Sequence, residues 1–159
     1  MRVALSQADL TVSPVAASGP IGRLVKMEPG RSTRRLNVLL VEDDDADVYL
    51  IRRALTQIAG IGEVKVARDG VAALLIVDNW SEGPDLAIVD LNMPRKDGFA
   101  LLRELSARKS VAFPSVVLTS SKSGADAYRA KKRGAAKFVT KPNSAEKWLV
   151  SLREIVAQI

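Results

Sequence analysis

The strongest constraint on this chain is its alternation of short apolar runs with helical patterns. Five runs, Asn37–Val41, Glu63–Ala67, Leu86–Val89, Ser115–Thr119 and Ala136–Thr140, are rich in Val, Ile and Leu, and a helical pattern follows each. The run Leu86-Ala87-Ile88-Val89 is apolar throughout, as a strand buried on both faces must be. Glu63-Val64-Lys65-Val66-Ala67 alternates instead, as a strand nearer a sheet edge does. Val48, Ile51, Leu55 and Ile58 follow the first run at helical spacing, with Gly60 closing the helix. Trp148, Leu149, Leu152, Ile155 and Val156 form the apolar face of the last helix, which Asn143 and Glu146 open as a capping box. Alternating strands and helices predict an α/β fold: a doubly wound five-stranded parallel sheet, with helices on both faces. Right-handed crossovers leave few topologies, and order 2-1-3-4-5 is the common one at this size. That order makes the first and third strands neighbours.

Composition narrows the chemistry. The chain has no Cys and no His. That excludes disulfides, thiolate or imidazole metal sites, and Ser-His or Cys-His catalysis. A reducing, cytoplasmic compartment is the natural expectation, and no apolar run approaches the roughly 18 residues of a membrane span. Residues 1–36 hold six of the basic side chains and two of the acidic ones, with Ser, Ala, Gly and Pro dominating Ser13 to Pro20. They read as a disordered basic leader, and residues 37–159 as the folded domain. No apolar segment suited to a secretory signal follows the basic start.

The polar residues that end the strands carry the functional argument. Glu42 and Asp43 follow the first strand, Asp90 the third, Thr119 ends the fourth, and Lys141 follows the fifth. All fall at the carboxyl edge of the sheet, where open α/β proteins bind ligands. Glu42 to Asp47 holds five carboxylates in six residues. Asp44, Asp45 and Asp47 have an ordinary explanation as acids favoured by the dipole at a helix N-terminus. Glu42 and Asp43 sit at the strand end and are less easily explained that way, and the adjacent first and third strands bring Asp43 close to Asp90, which alone could be a turn cap. Two unit charges ~4 Å apart repel by about 4 kcal/mol at an effective dielectric near 20. A hard divalent cation with oxygen ligands relieves that repulsion, and Mg²⁺ suits a site with few protein ligands. Lys141 supplies a point charge for an anion, and Thr119 a hydroxyl. These parts suit phosphoryl transfer to a carboxylate.

Val41-Glu42-Asp43, Val89-Asp90-Leu91-Asn92-Met93-Pro94, Leu118-Thr119-Ser120 and Phe138-Val139-Thr140-Lys141-Pro142 occur in order. Together they resemble the receiver domain of two-component response regulators, over roughly Asn37 to Ile159, and in detail the stand-alone receivers that partner phytochrome-type kinases. The resemblance implies the flavodoxin-like receiver topology and a set of roles. Asp90 is then the phosphoacceptor. Asp43, Asp90 and the Asn92 backbone carbonyl bind Mg²⁺, with Glu42 acting through water. Lys141 binds the phosphoryl group, Thr119 is the switch hydroxyl, and Phe138 is the aromatic that changes rotamer with it. The Lys141–Pro142 bond is cis in look-alikes. The implied partners are a sensor histidine kinase or phosphotransfer protein and a downstream protein target. A homodimer through the face of the fourth helix, last strand and last helix is open. Arg129, Lys131, Lys132, Arg133 and Lys137 make that face unusually basic. The chain ends with its last helix, which implies output by protein contact or by passing phosphate onward, and a phosphoacceptor rather than an enzyme.

Three rivals fit less well. A haloacid-dehalogenase-like phosphohydrolase needs a second Asp two residues after its nucleophile, where Asn92 stands. An FMN binder on this topology needs a phosphate loop where Glu42-Asp43-Asp44-Asp45 would repel the phosphate. A nucleic-acid binder has the basic leader and the charges from Arg129 to Lys137 but no interleaved aromatic platform.

Overall fold

The computed structural model describes residues 34–93 and 97–159. The elements are β1 (Leu36–Val41), α1 (Asp45–Leu55), β2 (Ile61–Ala67), α2 (Gly70–Asn79), β3 (Leu86–Val89), α3 (Gly98–Ala107), β4 (Ser115–Thr119), α4 (Gly124–Lys132), β5 (Ala135–Thr140) and α5 (Ala145–Val156). The strands form one sheet in the order β2-β1-β3-β4-β5, and all four pairings are parallel. This is the topology expected from the sequence. The leader and Pro94 fall almost wholly outside the described residues; of residues 1–36, only 34–36 are described.

Period-two alternation divides the core between the two faces of the sheet. Val38, Leu40, Leu86, Ile88, Val116 and Leu118 pack with Ile51 and Leu55 of α1 and with Trp148, Leu152 and Ile155 of α5. Leu39, Val41, Ala87 and Val89 point the other way, onto Ala73, Trp80, Leu101 and Leu105 from α2, α3 and the end of α2. A smaller cluster of Leu91, Leu102, Val117 and Ala130 seats α4, with Phe99 and Phe138 packed against it. β2 is an edge strand with mostly half-buried residues, as its alternation requires.

Several local expectations are corrected. β1 begins at Leu36, one residue into the segment read as leader, and Arg34 pairs with Asp85 at 2.8 Å. α1 ends at Leu55, so Ile58 packs on the core from the turn that Gly60 closes with φ of 88°. The N-cap of α5 is Ser144, not Asn143; the Asn143 side chain instead accepts from Lys147 Nζ at 3.3 Å. The Lys141–Pro142 bond is trans, not cis. Trans is the intrinsically favoured X–Pro form, by about 0.5–1 kcal/mol.

Candidate functional site

Strand register builds the site. Val41 pairs with Val89, so Glu42 and Asp90 emerge side by side where β1 and β3 end. Asp90 N–H donates to the Val41 carbonyl at 2.9 Å, and Glu42 N–H to that of Ala67 at 2.9 Å. On the far side Thr119 pairs with Thr140, and Lys141 N–H donates to the Thr119 carbonyl at 2.7 Å. Four strand ends thus deliver Glu42, Asp90, Thr119 and Lys141 to one edge. The neighbours β1 and β3 are those at which the strand order reverses, where a crevice opens between loops.

The carboxylates converge. One oxygen each from Glu42, Asp43 and Asp90 lie within 4.8 Å of one another. Glu42 and Asp90 are buried, and Asp43 is exposed. The Lys141 ammonium sits among them. Its Nζ is 2.7 Å from Asp47 Oδ2, 2.8 Å from Glu42 Oε2 and 3.2 Å from Asp90 Oδ2. The sequence reading put Lys141 across the site as an anion holder; here it also serves as counter-ion to the acids. The other Asp90 oxygen, Oδ1, accepts the Leu91 N–H at 2.7 Å.

Charge and burial pull against each other. Burial of the Glu42 carboxyl raises its pKa above the ordinary value, and the Asp90 charge adds to this. The Lys141 ammonium and the Asp44 N–H oppose it without cancelling it. For Lys141, burial alone would lower the pKa. Hydrogen bonds to Asp47 and Glu42, with the charge of Asp90, outweigh burial and hold the ammonium above the usual lysine range. One cation facing three carboxylates is strongly held, whereas a buried carboxylate facing another is not.

Asp47 is the residue the sequence reading set aside. It lies in the first turn of α1, where Asp44 caps the helix by accepting the Asp47 N–H at 2.9 Å. A dipole explanation was sufficient from sequence, yet the side chain reaches the centre of the site. A usable signal was its position immediately before Val48, at the end of the helix nearest the acidic strand ends. Gly98 carries a further constraint on the site. A Cβ there would lie 2.2 Å from the Asp90 carbonyl oxygen and 2.8 Å from Leu91 Cα. Only glycine lets the start of α3 approach the loop that carries Asp90. Arg68 is a cation the sequence does not signal, with Nη1 near the Glu42 and Asp43 carbonyls and an ion pair to Asp45.

The remaining expected residues lie nearby. Asn92 is exposed in the loop just beyond Asp90. Thr119 is fully buried, and its Oγ1 accepts the Ser121 N–H at 3.4 Å. Thr140 Oγ1 donates to the Ser121 carbonyl at 3.3 Å, and Ser121 Oγ to Asp126 Oδ2 at 2.7 Å, tying this loop to β5 and α4. Phe138 is half-buried and packs against the cluster under α4, away from the carboxylates.

Comparison with known proteins agrees with this geometry. Residues 38–153 match the family model described as the response regulator receiver domain. The probable methanogenesis regulatory protein FilR2 of Methanothrix harundinacea is 34% identical over 123 residues, covering 74% of this chain and 79% of that protein. The phosphorylated cyanobacterial phytochrome response regulator RcpA superimposes with a TM-score of 0.71 at 30% identity, over 76% of this chain and 91% of that one. The Mn²⁺-bound form of response regulator Rcp1 gives 0.68 at 29% identity, with the same coverage of 76% and 91%. Among other curated relatives the chain spans as little as 13% of the length, as in the sensor histidine kinase CheAY of Helicobacter pylori.

Proposed function

We infer that this chain, which belongs to the response regulator receiver domain family, takes a phosphoryl group on Asp90 from a histidine kinase or phosphotransfer protein. The observation that carries this is the placement of Asp90 between two kinds of charge. One of its oxygens contacts the Lys141 ammonium, and its carboxylate belongs to the oxygen cluster with Glu42 and Asp43. In the step, an Asp90 oxygen attacks phosphorus. An O–P bond forms as the donor's N–P bond breaks, and the leaving imidazole keeps the electron pair. The chain has no His, so the donor is another protein or a small phosphodonor. Lys141 contributes a fixed positive charge to the oxygens of the transferring group, and the rigid strand ends hold the attacking carboxylate in place.

The donor set fits Mg²⁺: three carboxylates at one sheet edge, all hard oxygen ligands. Asp43 and Asp90 would hold it with the Asn92 carbonyl, Glu42 acting through water. The ion would supply Lewis-acid offset of charge on the phosphoryl oxygens.

Phosphorylation adds charge and acceptor oxygens at Asp90. Thr119 and Lys141 then gain charge-assisted hydrogen bonds worth about 1.5–3 kcal/mol each. Two such bonds approach the roughly 5.5 kcal/mol that inverts a 1:99 equilibrium. Phe138, two residues before Thr140 and packed under α4, is the aromatic that would move with them. The face it reaches carries a cleft of about 320 Å³ lined by Ala127, Tyr128, Lys131, Ala135, Lys137 and Phe138. Residues 122–137 include six basic side chains and one acidic one. An isologous dimer through this face would set like charges together, so an acidic downstream protein suits it better than a second copy.

The test is radiolabel transfer from a phosphorylated kinase. Wild type is expected to form an acid-stable, base-labile acyl phosphate, and Asp90→Asn none. Persistent aspartyl labelling of that variant would end the reading.

A further inference from the structure

An ammonium has three N–H donors, and that of Lys141 has three carboxylate neighbours: Asp47, Glu42 and Asp90. Under the function proposed above, two of the three are engaged elsewhere. Asp90 becomes the phosphoryl carrier, and Glu42 belongs to the oxygen cluster suited to a cation. Asp47 is outside that cluster, and at 2.7 Å it makes the shortest of the three contacts. Its place is fixed from below, because its own N–H is bound by the Asp44 cap at the start of α1.

We propose that Asp47 is a positioning residue: it anchors the Lys141 ammonium beside Asp90 when metal and phosphoryl group occupy the other carboxylates. This rests on the reading of Asp90 as phosphoacceptor. Lysine is a point charge on a flexible four-carbon stem. Without Asp47, the remaining acceptors of Lys141 are Glu42 and Asp90. The ammonium then competes with the cation for the same oxygens and is no longer held where the phosphoryl group arrives. An opposing effect is also present, since the Asp47 charge repels an incoming phosphoryl group. Lys141 lies in direct contact with Asp47 and screens that repulsion, so anchoring dominates.

The experiment uses the full chain with acetyl phosphate and Mg²⁺, following acyl-phosphate formation on phosphate-affinity gels. Asp47→Asn is expected to slow phosphorylation roughly ten- to a hundredfold, the upper figure being the cost of misplacing a group by about 1 Å, and Asp47→Glu to recover most of the rate. Mg²⁺ titration calorimetry supplies a second reading. Asp47→Asn is expected to weaken binding several-fold with Lys141 present and much less in a Lys141→Met background, because the effect runs through the lysine. A third is the ¹⁵N signal of the Lys141 ammonium, expected to be protected from exchange in wild type and Asp47→Glu but not in Asp47→Asn. Equal or faster phosphorylation of Asp47→Asn, equal slowing by Asn and Glu, or an unchanged Mg²⁺ effect in the Lys141→Met background would overturn the role of Asp47. A wild-type protein that takes no label at Asp90 would instead remove the underlying reading.

Discussion

Replacing Lys141 with Met tests the electrostatic account of the site most directly. The side chains concerned are largely out of water: Lys141 is 12% exposed, Glu42 2%, Asp90 6% and Asp47 26%. At an effective dielectric near 20, each contact of about 3 Å represents about 5 kcal/mol of attraction before desolvation. Most of that offsets the loss of hydration and the repulsion among the acids. Removing one partner of a buried ion pair typically costs about 3–5 kcal/mol, because the remaining charge stays buried and uncompensated. Lys141→Met in metal-free buffer at neutral pH is therefore expected to lose stability on that scale. With a urea dependence of about 2 kcal/mol per molar, the unfolding midpoint falls by roughly 2 M. Trp80 and Trp148 are buried on opposite faces of the sheet, so fluorescence follows both halves of the core at once. Saturating Mg²⁺ is then expected to stabilise the variant more than the wild type, since no ammonium stands among the oxygens. At a hundred times the dissociation constant the gain is about 2.7 kcal/mol. A variant whose midpoint in EDTA matches wild type, or equal Mg²⁺ stabilisation of both, would refute this account.

Three further outcomes are expected. Glu42→Gln should be no less stable than wild type at pH 7, because the ionised carboxyl is the disfavoured form. The folded-state pKa of Glu42 is raised above 4.5, so its penalty is fully present above the raised value and disappears as pH falls through it towards 4.5. The stability difference between the two proteins, from urea melts across that window, should shrink on acidification; a difference that grows would be the wrong sign. Gly98→Ala places a Cβ against backbone at Asp90 and Leu91, and should cost about 1–3 kcal/mol while weakening Mg²⁺ binding, measured by calorimetry. Asp69→Ala removes a buried N-cap that accepts the Val71 and Ala72 N–H groups at 2.8 and 2.9 Å. It should lower stability by about 1–2 kcal/mol and leave phosphorylation of the folded protein unchanged.

Residue order alone determined the architecture, for reasons local to each segment. Apolar runs the length of strands, alternating with helical patterns, can bury their surface only as a parallel sheet between helix layers, and the crossover rule then fixes which strands touch. The positions of Glu42, Asp43, Asp90, Thr119 and Lys141 at strand ends were readable for the same reason. Distances between side chains from separate elements were not. Asp47 looked like a helix-dipole acid because its partner, Lys141, is 94 residues away. The need for glycine at position 98 is invisible in residue order because the backbone it must admit, at Asp90 and Leu91, lies outside its own helix. The Ser144 cap departs from the motif, and the Lys141–Pro142 bond takes the intrinsically favoured trans form. Only the assembled sheet showed that the lysine is both counter-ion to the acids and neighbour of the proposed acceptor, since electrostatic compensation depends on where charges meet in space.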